Sequence, residues 1–155
     1  MRVSLNLIKK YVDLPKEITN DKIAYDMTLR TVEVEGTLNV GEKFHDIIVG
    51  KILEVKDHPN ADKLRVCIVD IGEAAPVQIV CGGSNLYDGE YVVVCKPGAV
   101  VVWHGQGEPV KIEKTKMRGE ESFGMICAAE EVLLSDFFPQ MNEAEIIDLK
   151  GIDCA

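Results

Sequence analysis

The feature that most constrains the fold is a series of short β-branched, apolar segments separated by turn-forming residues. The segments are Ile47 to Lys56, Leu64 to Gly72, Val77 to Cys81, Tyr91 to Cys95, Val100 to Trp103 and Val110 to Ile112. Proline, glycine, asparagine and aspartate lie between them, which is typical of antiparallel strands joined by tight turns. Gly50 lies inside the first and longest segment and predicts a bulge or a bend, which a small closed barrel needs at its corners.

The flanking residues predict two further parts. Ser4 is placed to cap a short helix over Leu5 to Val12, and Thr19 or Asn20 to cap a second helix over about Asp21 to Thr31. Residues 32–36 alternate apolar and polar side chains, which predicts a strand. We therefore predict a helix–helix–strand segment over residues 1–39 that is too small to fold alone, a barrel over residues 40–132 and an acidic tail over residues 133–155. The fold class is α+β and mostly β, with a five-stranded barrel of the OB type preceded by a helical segment.

Charge is unevenly distributed. The chain has 155 residues and a formal net charge of −9, of which −6 falls on residues 128–155 and −3 on residues 46–127. This acidic balance argues against a non-specific nucleic-acid binder, but it leaves room for a local basic face on the barrel. The N-terminus has no signal-peptide pattern, so we expect a cytoplasmic protein.

The cysteines predict no metal site. There are five cysteines, an odd number, and none form a Cys-x-x-Cys pair. Zinc sites use closely spaced ligand pairs, whereas three of these cysteines lie inside valine-rich and isoleucine-rich runs. We expect buried thiols that behave as small apolar side chains.

Three stretches carry a resemblance to a known family. They are residues 58–64 (HPNADKL), residues 79–86 (IVCGGSNL) and residues 116–127 (KMRGEESFGMIC). In this order and spacing they resemble the tRNA-binding OB-fold domain found in or alongside aminoacyl-tRNA synthetases. The opening residues 1–12 and 21–35 are similar to the start of the bacterial phenylalanyl-tRNA synthetase β subunit. In that family the helical opening pairs with chain that returns after the barrel, which implies that the acidic tail at residues 133–155 starts the return to the N-terminal domain.

The resemblance implies partners and cofactors for the parent enzyme. That family ligates phenylalanine to its tRNA with ATP and magnesium, as an α2β2 assembly whose β subunit is several times longer than this chain. A chain of this extent is expected to contact tRNA and the α subunit, to catalyse nothing alone, and to need no cofactor itself.

The candidate tRNA-binding residues share a place in, or beside, these motifs. They are Asn60, Lys63, Arg65, Asn85, Lys114, Lys116, Arg118, Ser122 and Met125. Lys114, Lys116 and Arg118 alternate, so in an extended segment they share one face and form a ridge of three positive charges.

Structural roles remain open for the same residues. The lysines and arginine could form a solvated strand face, and Asn60 could shape its loop after Pro59. Gly82, Gly83 and Asn85 could form a turn, and Ser122 could cap a turn that puts Met125 in the core. His58 is also expected to shape its loop. At the level of the whole chain the alternatives are a module for subunit or domain assembly, and a free-standing tRNA-binding protein of the same fold.

Overall fold

The computed structural model describes residues 3–142 and 144–152. The chain divides into two compact units, Met1–Val40 and Gly41–Ala155. No helix within the described residues combines the length and the apolar character that a membrane crossing requires. Four cysteines, Cys67, Cys81, Cys95 and Cys127, are buried free thiols as predicted, and Cys154 lies outside the described residues.

The described residues of the first unit contain two α-helices. Helix α1 spans Leu5–Ile8, and helix α2 spans Asn20–Arg30 with Thr19 as its N-cap. The Thr19 hydroxyl accepts the Lys22 backbone N–H at 3.2 Å, as the capping prediction requires. Helix α1 stops four residues before the predicted end. The Ser4 side chain makes no capping hydrogen bond and no residue of this turn of helix is buried, so little stabilises a longer helix.

Residues 32–36 do not form the predicted strand. A strand needs a partner to satisfy its backbone groups, and no described strand pairs with this segment. The Val34 N–H instead donates to the Thr28 hydroxyl at 3.0 Å. Alternation of side chains thus indicated extended backbone here without supplying the neighbour that makes a strand.

The described residues of the second unit contain nine strands. They are β1 (Ile47–Asp57), β2 (Arg65–Asp70), β3 (Val77–Cys81), β4 (Tyr91–Cys95), β5 (Val100–Val102), β6 (Pro109–Lys111), β7 (Thr115–Met117), β8 (Glu120–Ser122) and β9 (Met125–Ile126). Five of them form one antiparallel sheet in the order β3-β2-β1-β4-β9, and β5–β6 and β7–β8 are separate hairpins. The sheet nearly closes into a barrel, because the Phe123 N–H donates to the Gln78 carbonyl at 2.8 Å across the gap between its edges. The predicted fold class, mostly β with a five-stranded OB-type barrel, is confirmed.

Strand β1 bends at Gly50 as predicted. Its first half pairs with β4 and its second half with β2, and the pairing with β2 shifts register between Ile52 and Glu54. A Cβ on Gly50 would lie 2.9 Å from methyl groups of both Val69 and Val94. Glycine therefore lets the two neighbouring strands approach at the corner of the barrel.

Both faces of strand β4 are buried. Val92 and Val94 belong to the core inside the barrel, and Val93 and Cys95 belong to a second core beneath the β5–β6 hairpin. A strand buried on both faces reads as a continuous apolar run, as residues 91–95 do. The end of the predicted acidic tail completes both cores, with Ile146 in the first and Ile147 and Leu149 in the second.

Candidate nucleic-acid interface

The β7–β8 hairpin carries the predicted cations. Its two-residue loop consists of Arg118 and Gly119, which both have positive φ (48° and 106°) between the paired Met117 and Glu120. Positive φ at both loop positions is the requirement of the tight turns that match the twist of β-hairpins. Lys114 directly precedes β7, Lys116 lies within it, and all three basic side chains are exposed. The sequence did not predict this hairpin: the shared face of the three cations was predicted for an extended segment, and Arg118 lies in the turn instead.

A shallow groove of about 480 Å³ lies between this hairpin and strand β3. It is lined by Val77, Gln78, Lys114, Thr115, Lys116, Glu121, Ser122 and Phe123. The Lys114 ammonium lies 4.2 Å from the centre of the Phe123 ring, a cation–π distance. The groove thus combines cations with an aromatic side chain, the two groups that proteins use to hold an unpaired nucleotide.

The cations of the hairpin are not held in ion pairs by its carboxylates. Glu120 accepts a hydrogen bond from the Gln78 amide at 3.1 Å, and Glu121 is paired with Lys116 in the register of the two strands. Among residues 3–142 and 144–152, no carboxylate forms an ion pair with Lys114, Lys116 or Arg118. Residues 113–122 hold three cations and three carboxylates, so this segment is neutral by count, and its cations are distinguished by being exposed and outside the ion pairs of the described residues.

The loop after β1 approaches the tip of the hairpin. His58 is buried, and its Nε2 lies 3.0 Å from the Met117 carbonyl oxygen. The exposed Asn60 donates from Nδ2 to the Arg118 carbonyl at 3.0 Å. Asn60 therefore has the loop-shaping partner that the sequence left open, and this partner lies on the hairpin.

The other two basic candidates differ in how they are held. Lys63 is exposed on the same loop. The Arg65 guanidinium donates to the Asp62 and Leu64 carbonyls at 3.1 Å each and lies 3.3 Å from the Asp57 carboxylate. Because Nη1 donates to these carbonyls and Nε lies beside the Asp57 carboxylate, Arg65 is a weaker candidate for a phosphate contact than Lys63.

Asn85 is occupied by the protein itself. Its side chain donates to the Ile146 carbonyl at 3.1 Å and accepts the Ile146 N–H at 2.9 Å. In the same region a Cβ on Gly83 would lie 2.9 Å from Ile146, and Gly83 does not have the positive φ expected of a tight turn. This motif forms the docking site for residues 144–150, a role that its glycines and asparagine did not reveal.

Ser122 and Met125 face inward. The Ser122 hydroxyl is 1% exposed, accepts the Val80 N–H at 3.0 Å and donates to the Gly124 carbonyl at 3.0 Å. Met125 is half-buried against the second core. In this structure the Ser122 hydroxyl has no surface for an RNA contact, and the capped turn considered as the alternative is the arrangement observed.

Glu90 is a buried acid away from the hairpin. Its side chain accepts the Tyr87 N–H at 3.2 Å through Oε2, and no described residue donates to Oε1. Burial, together with the smaller effect of the nearby Asp148 carboxylate, raises the pKa of Glu90 from 4.5 to about 7. This acid lies in the loop that docks residues 144–150, since Tyr87 also donates to Asp148 at 3.2 Å.

Sequence reasoning missed Gln78 and Phe123. Gln78 binds Glu120 and the Glu121 carbonyl and so ties β3 to the hairpin, and Phe123 lies under the Lys114 ammonium. An available signal was the position of Phe123 between the two motif residues Ser122 and Gly124. Gln78 carried none beyond being a polar residue in an apolar strand.

The fold is that of an OB-type barrel domain, which presents a cationic hairpin beside a groove. Residues 47–150 match the family described as "Putative tRNA binding domain", and the chain belongs to that family. The matched region includes the hairpin, the groove and the docked segment at residues 144–150.

Its relatives are phenylalanine–tRNA ligase β subunits. The chain is 45% identical over 132 residues to that of Bacillus subtilis, which covers 85% of this chain and 16% of the relative. It is 41% identical over 145 residues to that of Halalkalibacterium halodurans, which covers 94% of this chain and 17% of the relative. The chain thus spans about one sixth of the length of these relatives. A solved structure, the C-terminal domain of Plasmodium vivax p43, aligns with 52% of this chain and 43% of that chain at 28% identity and a TM-score of 0.40.

Proposed function

We propose that the β7–β8 hairpin is the tRNA-binding element of this domain. The observation that carries the proposal is the group of three exposed cations, Lys114, Lys116 and Arg118, beside a groove that contains an aromatic ring. Their ammonium and guanidinium groups bind phosphates, and the groove accepts a sugar or base next to them.

The remaining candidates support this element to different degrees. Lys63 adds a fourth cation from the neighbouring loop, and Arg65 contributes mainly by bracing that loop. Asn60, Asn85 and Ser122 act by holding the backbone in place, and Met125 acts by packing against the second core, rather than by touching RNA. This division follows from the partners that each side chain already has.

At the level of the whole protein, we propose that this chain works as part of a cytoplasmic phenylalanine–tRNA ligase. In that enzyme the β subunit pairs with an α subunit, and the complex charges tRNA with phenylalanine using ATP and magnesium. The support is identity of 41–45% to β subunits over most of this chain. Residues 1–39 would then belong to an N-terminal domain separate from the barrel, and catalysis would lie elsewhere in the assembly.

The direct test is a titration of fluorescently labelled tRNA with the 155-residue chain at about 50 mM and about 200 mM salt. Three phosphate contacts predict a loss of at least about tenfold in affinity between the two, since each contact contributes about 0.7–0.9 to the salt exponent. The control is the Lys111→Ala variant, which removes an exposed lysine from strand β6 of the β5–β6 hairpin. It is expected to bind tRNA with the same affinity as the unsubstituted chain. Undetectable binding at the lower salt concentration would overturn the proposal.

A second candidate function is assembly with another protein subunit or domain. It is favoured by three large apolar side chains, Leu133, Phe137 and Met141, which are 63%, 76% and 82% exposed. The same chain tested for tRNA binding can be tested for capture of the purified α subunit of the ligase. Capture without any tRNA binding would favour this function over the first.

A further inference from the structure

The tip of the β7–β8 hairpin is held by the loop between β1 and β2, which lies far from it in the sequence. Two consecutive carbonyls of the hairpin, those of Met117 and Arg118, lie 3.0 Å from a His58 ring nitrogen and from the Asn60 amide nitrogen. These partners are 59 and 58 residues apart in the chain. Both are contacts between a side chain and a backbone carbonyl, outside the β ladders, and they join this loop to the tip of the hairpin.

The geometry determines the tautomer of His58. The Asn60 backbone N–H can only donate, and it points at Nδ1 of the ring at 3.1 Å, so Nδ1 is the acceptor. The proton is therefore on Nε2, where it donates to the Met117 carbonyl. Both ring nitrogens are used, which is what a buried polar side chain requires.

The turn is shaped to receive Asn60. A Cβ on Gly119 would lie 3.3 Å from the Asn60 amide nitrogen, tighter than an ordinary contact. Gly119 also has a φ of 106°, which disfavours any side chain there. The absence of a side chain at Gly119 thus lets the amide reach the carbonyl of the neighbouring Arg118.

The hairpin needs such support. Strands β7 and β8 are three residues long and form their own two-stranded sheet, outside the five-stranded barrel sheet. A two-stranded hairpin alone is marginally stable in water. Its base is tied to β3 through Gln78 and Ser122, whereas its tip, where Arg118 lies, is tied through His58 and Asn60.

We propose that His58 and Asn60 are positioning residues, which we call the tip clamp, that hold Lys116 and Arg118 in the orientation needed to bind RNA phosphates. This inference rests on the proposed function of the hairpin. The tip clamp touches the backbone of the hairpin and leaves its cationic side chains exposed. RNA affinity therefore depends on two side chains that need not contact RNA, because an ordered pair of cations binds with less loss of conformational freedom than a mobile pair.

The experiment uses the whole chain and two measurements. Amide hydrogen exchange is followed separately for residues 115–122 and for strand β4, and tRNA affinity is measured between about 50 and 200 mM salt. The main variant is Asn60→Ala, which removes an exposed side chain and leaves the core unchanged. His58→Ala and His58→Gln form a second pair, since glutamine keeps an N–H donor that can reach the Met117 carbonyl.

Asn60→Ala is expected to speed exchange in the hairpin by about fivefold, the effect of losing one neutral hydrogen bond, and to leave β4 unchanged. The same variant should weaken tRNA binding by about threefold to tenfold while keeping the salt dependence, because no phosphate contact is removed. His58→Gln should exchange more slowly than His58→Ala. For comparison, Lys116→Ala should reduce the salt dependence without speeding exchange in the hairpin.

Two results would overturn the tip clamp. One is unchanged exchange and unchanged tRNA affinity in Asn60→Ala. The other is faster exchange in β4 and the hairpin alike, which would make the side chain a general stabiliser of the fold. Absence of tRNA binding by the unsubstituted chain would overturn the proposed function, and with it the role of the tip clamp in RNA binding. Hydrogen exchange in Asn60→Ala distinguishes the two failures, because it reports whether Asn60 holds the hairpin even when the chain binds no tRNA.

Discussion

The β7–β8 hairpin and the docking loop at residues 83–90 are two motif-bearing regions of one barrel, and they use their polar residues in opposite ways. In the hairpin, Lys116 and Arg118 are exposed and lack an ion-pair partner among the described residues. In the docking loop, Asn85 forms two hydrogen bonds with the backbone of Ile146. The comparison teaches that a motif of polar residues does not identify a binding surface until the partners of each side chain are known.

The difference has a physical cause. An amide side chain can both donate and accept, so it can satisfy a peptide group of another segment completely. A lysine or arginine can only donate, and burying it without a carboxylate partner is costly. Asparagine is therefore suited to internal docking and the cations to a solvent-facing ridge, even where both residue types occur in motifs of the same family.

Reversing the charge of the hairpin tests the comparison most strongly. The triple variant Lys114→Glu, Lys116→Glu, Arg118→Glu should weaken tRNA binding by at least about 100-fold, because it removes three phosphate contacts and adds repulsion. Urea unfolding should remain close to that of the unsubstituted chain, since all three side chains are exposed. Retained binding in a folded triple variant would show that the hairpin is not the interface.

The docking loop should instead respond to pH. The pKa of Glu90 is raised from 4.5 to about 7 in the folded chain, so the folded state holds this proton more tightly and loses stability as pH rises through that window. Glu90→Gln removes the cost of ionising a buried carboxyl group. The free energy of unfolding of this variant, relative to that of the unsubstituted chain, should therefore increase by roughly 3 kcal/mol between pH 4 and pH 8. The measurement is urea unfolding of both proteins at the two pH values. An advantage that does not grow with pH would mean that Glu90 is not held as a buried acid.

Asn85→Ala should separate stability from binding. It leaves the Ile146 N–H and carbonyl without their partner, which is expected to lower the free energy of unfolding by about 1–3 kcal/mol. Binding of tRNA at a temperature where the variant is folded should be unchanged within about twofold, because the loss concerns internal hydrogen bonds only. Ser122→Ala is the matched case on the hairpin side, since its hydroxyl also bonds the backbone internally. A loss of affinity in Asn85→Ala without a loss of stability would return Asn85 to the RNA interface.

The smallest expected effect concerns one lysine. Lys114→Ala should reduce the salt exponent for tRNA binding by about 0.7–0.9, the contribution of one phosphate contact. Lys111→Ala, three residues earlier on strand β6, should leave the exponent unchanged. Equal effects of the two substitutions would indicate a diffuse electrostatic attraction and remove the distinction between the hairpin and the rest of the surface.

Much of the fold followed from the sequence because its signals are local. Strands β3 and β4 have the predicted ends, and the bend at Gly50 occurs where an interior glycine predicted it. Helix α2 begins at its predicted cap. The predicted strand at residues 32–36 failed for the complementary reason, since alternation describes one segment and a strand requires two.

The site was predictable only in part. The motif at residues 116–127 indicated the region of the hairpin. Alternation of the cations predicted a shared face only for extended backbone, and this does not apply to Arg118, which lies in the turn at positive φ. The burial of Ser122 and the docking of residues 144–150 were not predictable, because each depends on a segment distant in the chain. Residues 133–155 were predicted to be a separate tail because of their negative charge. They contribute three buried apolar side chains to the two cores.

The sequence by itself determined a barrel with a bend at Gly50, an acidic total charge and three cations at alternating positions, Lys114, Lys116 and Arg118. These are properties of neighbouring residues, in which backbone preference and side-chain period act over a few positions. Only the tertiary structure decided which polar groups are free to meet a partner. The reason is that hydrogen bonds such as those of Asn60 and Asn85 join residues 58 and 61 positions apart, and no local pattern encodes such a meeting.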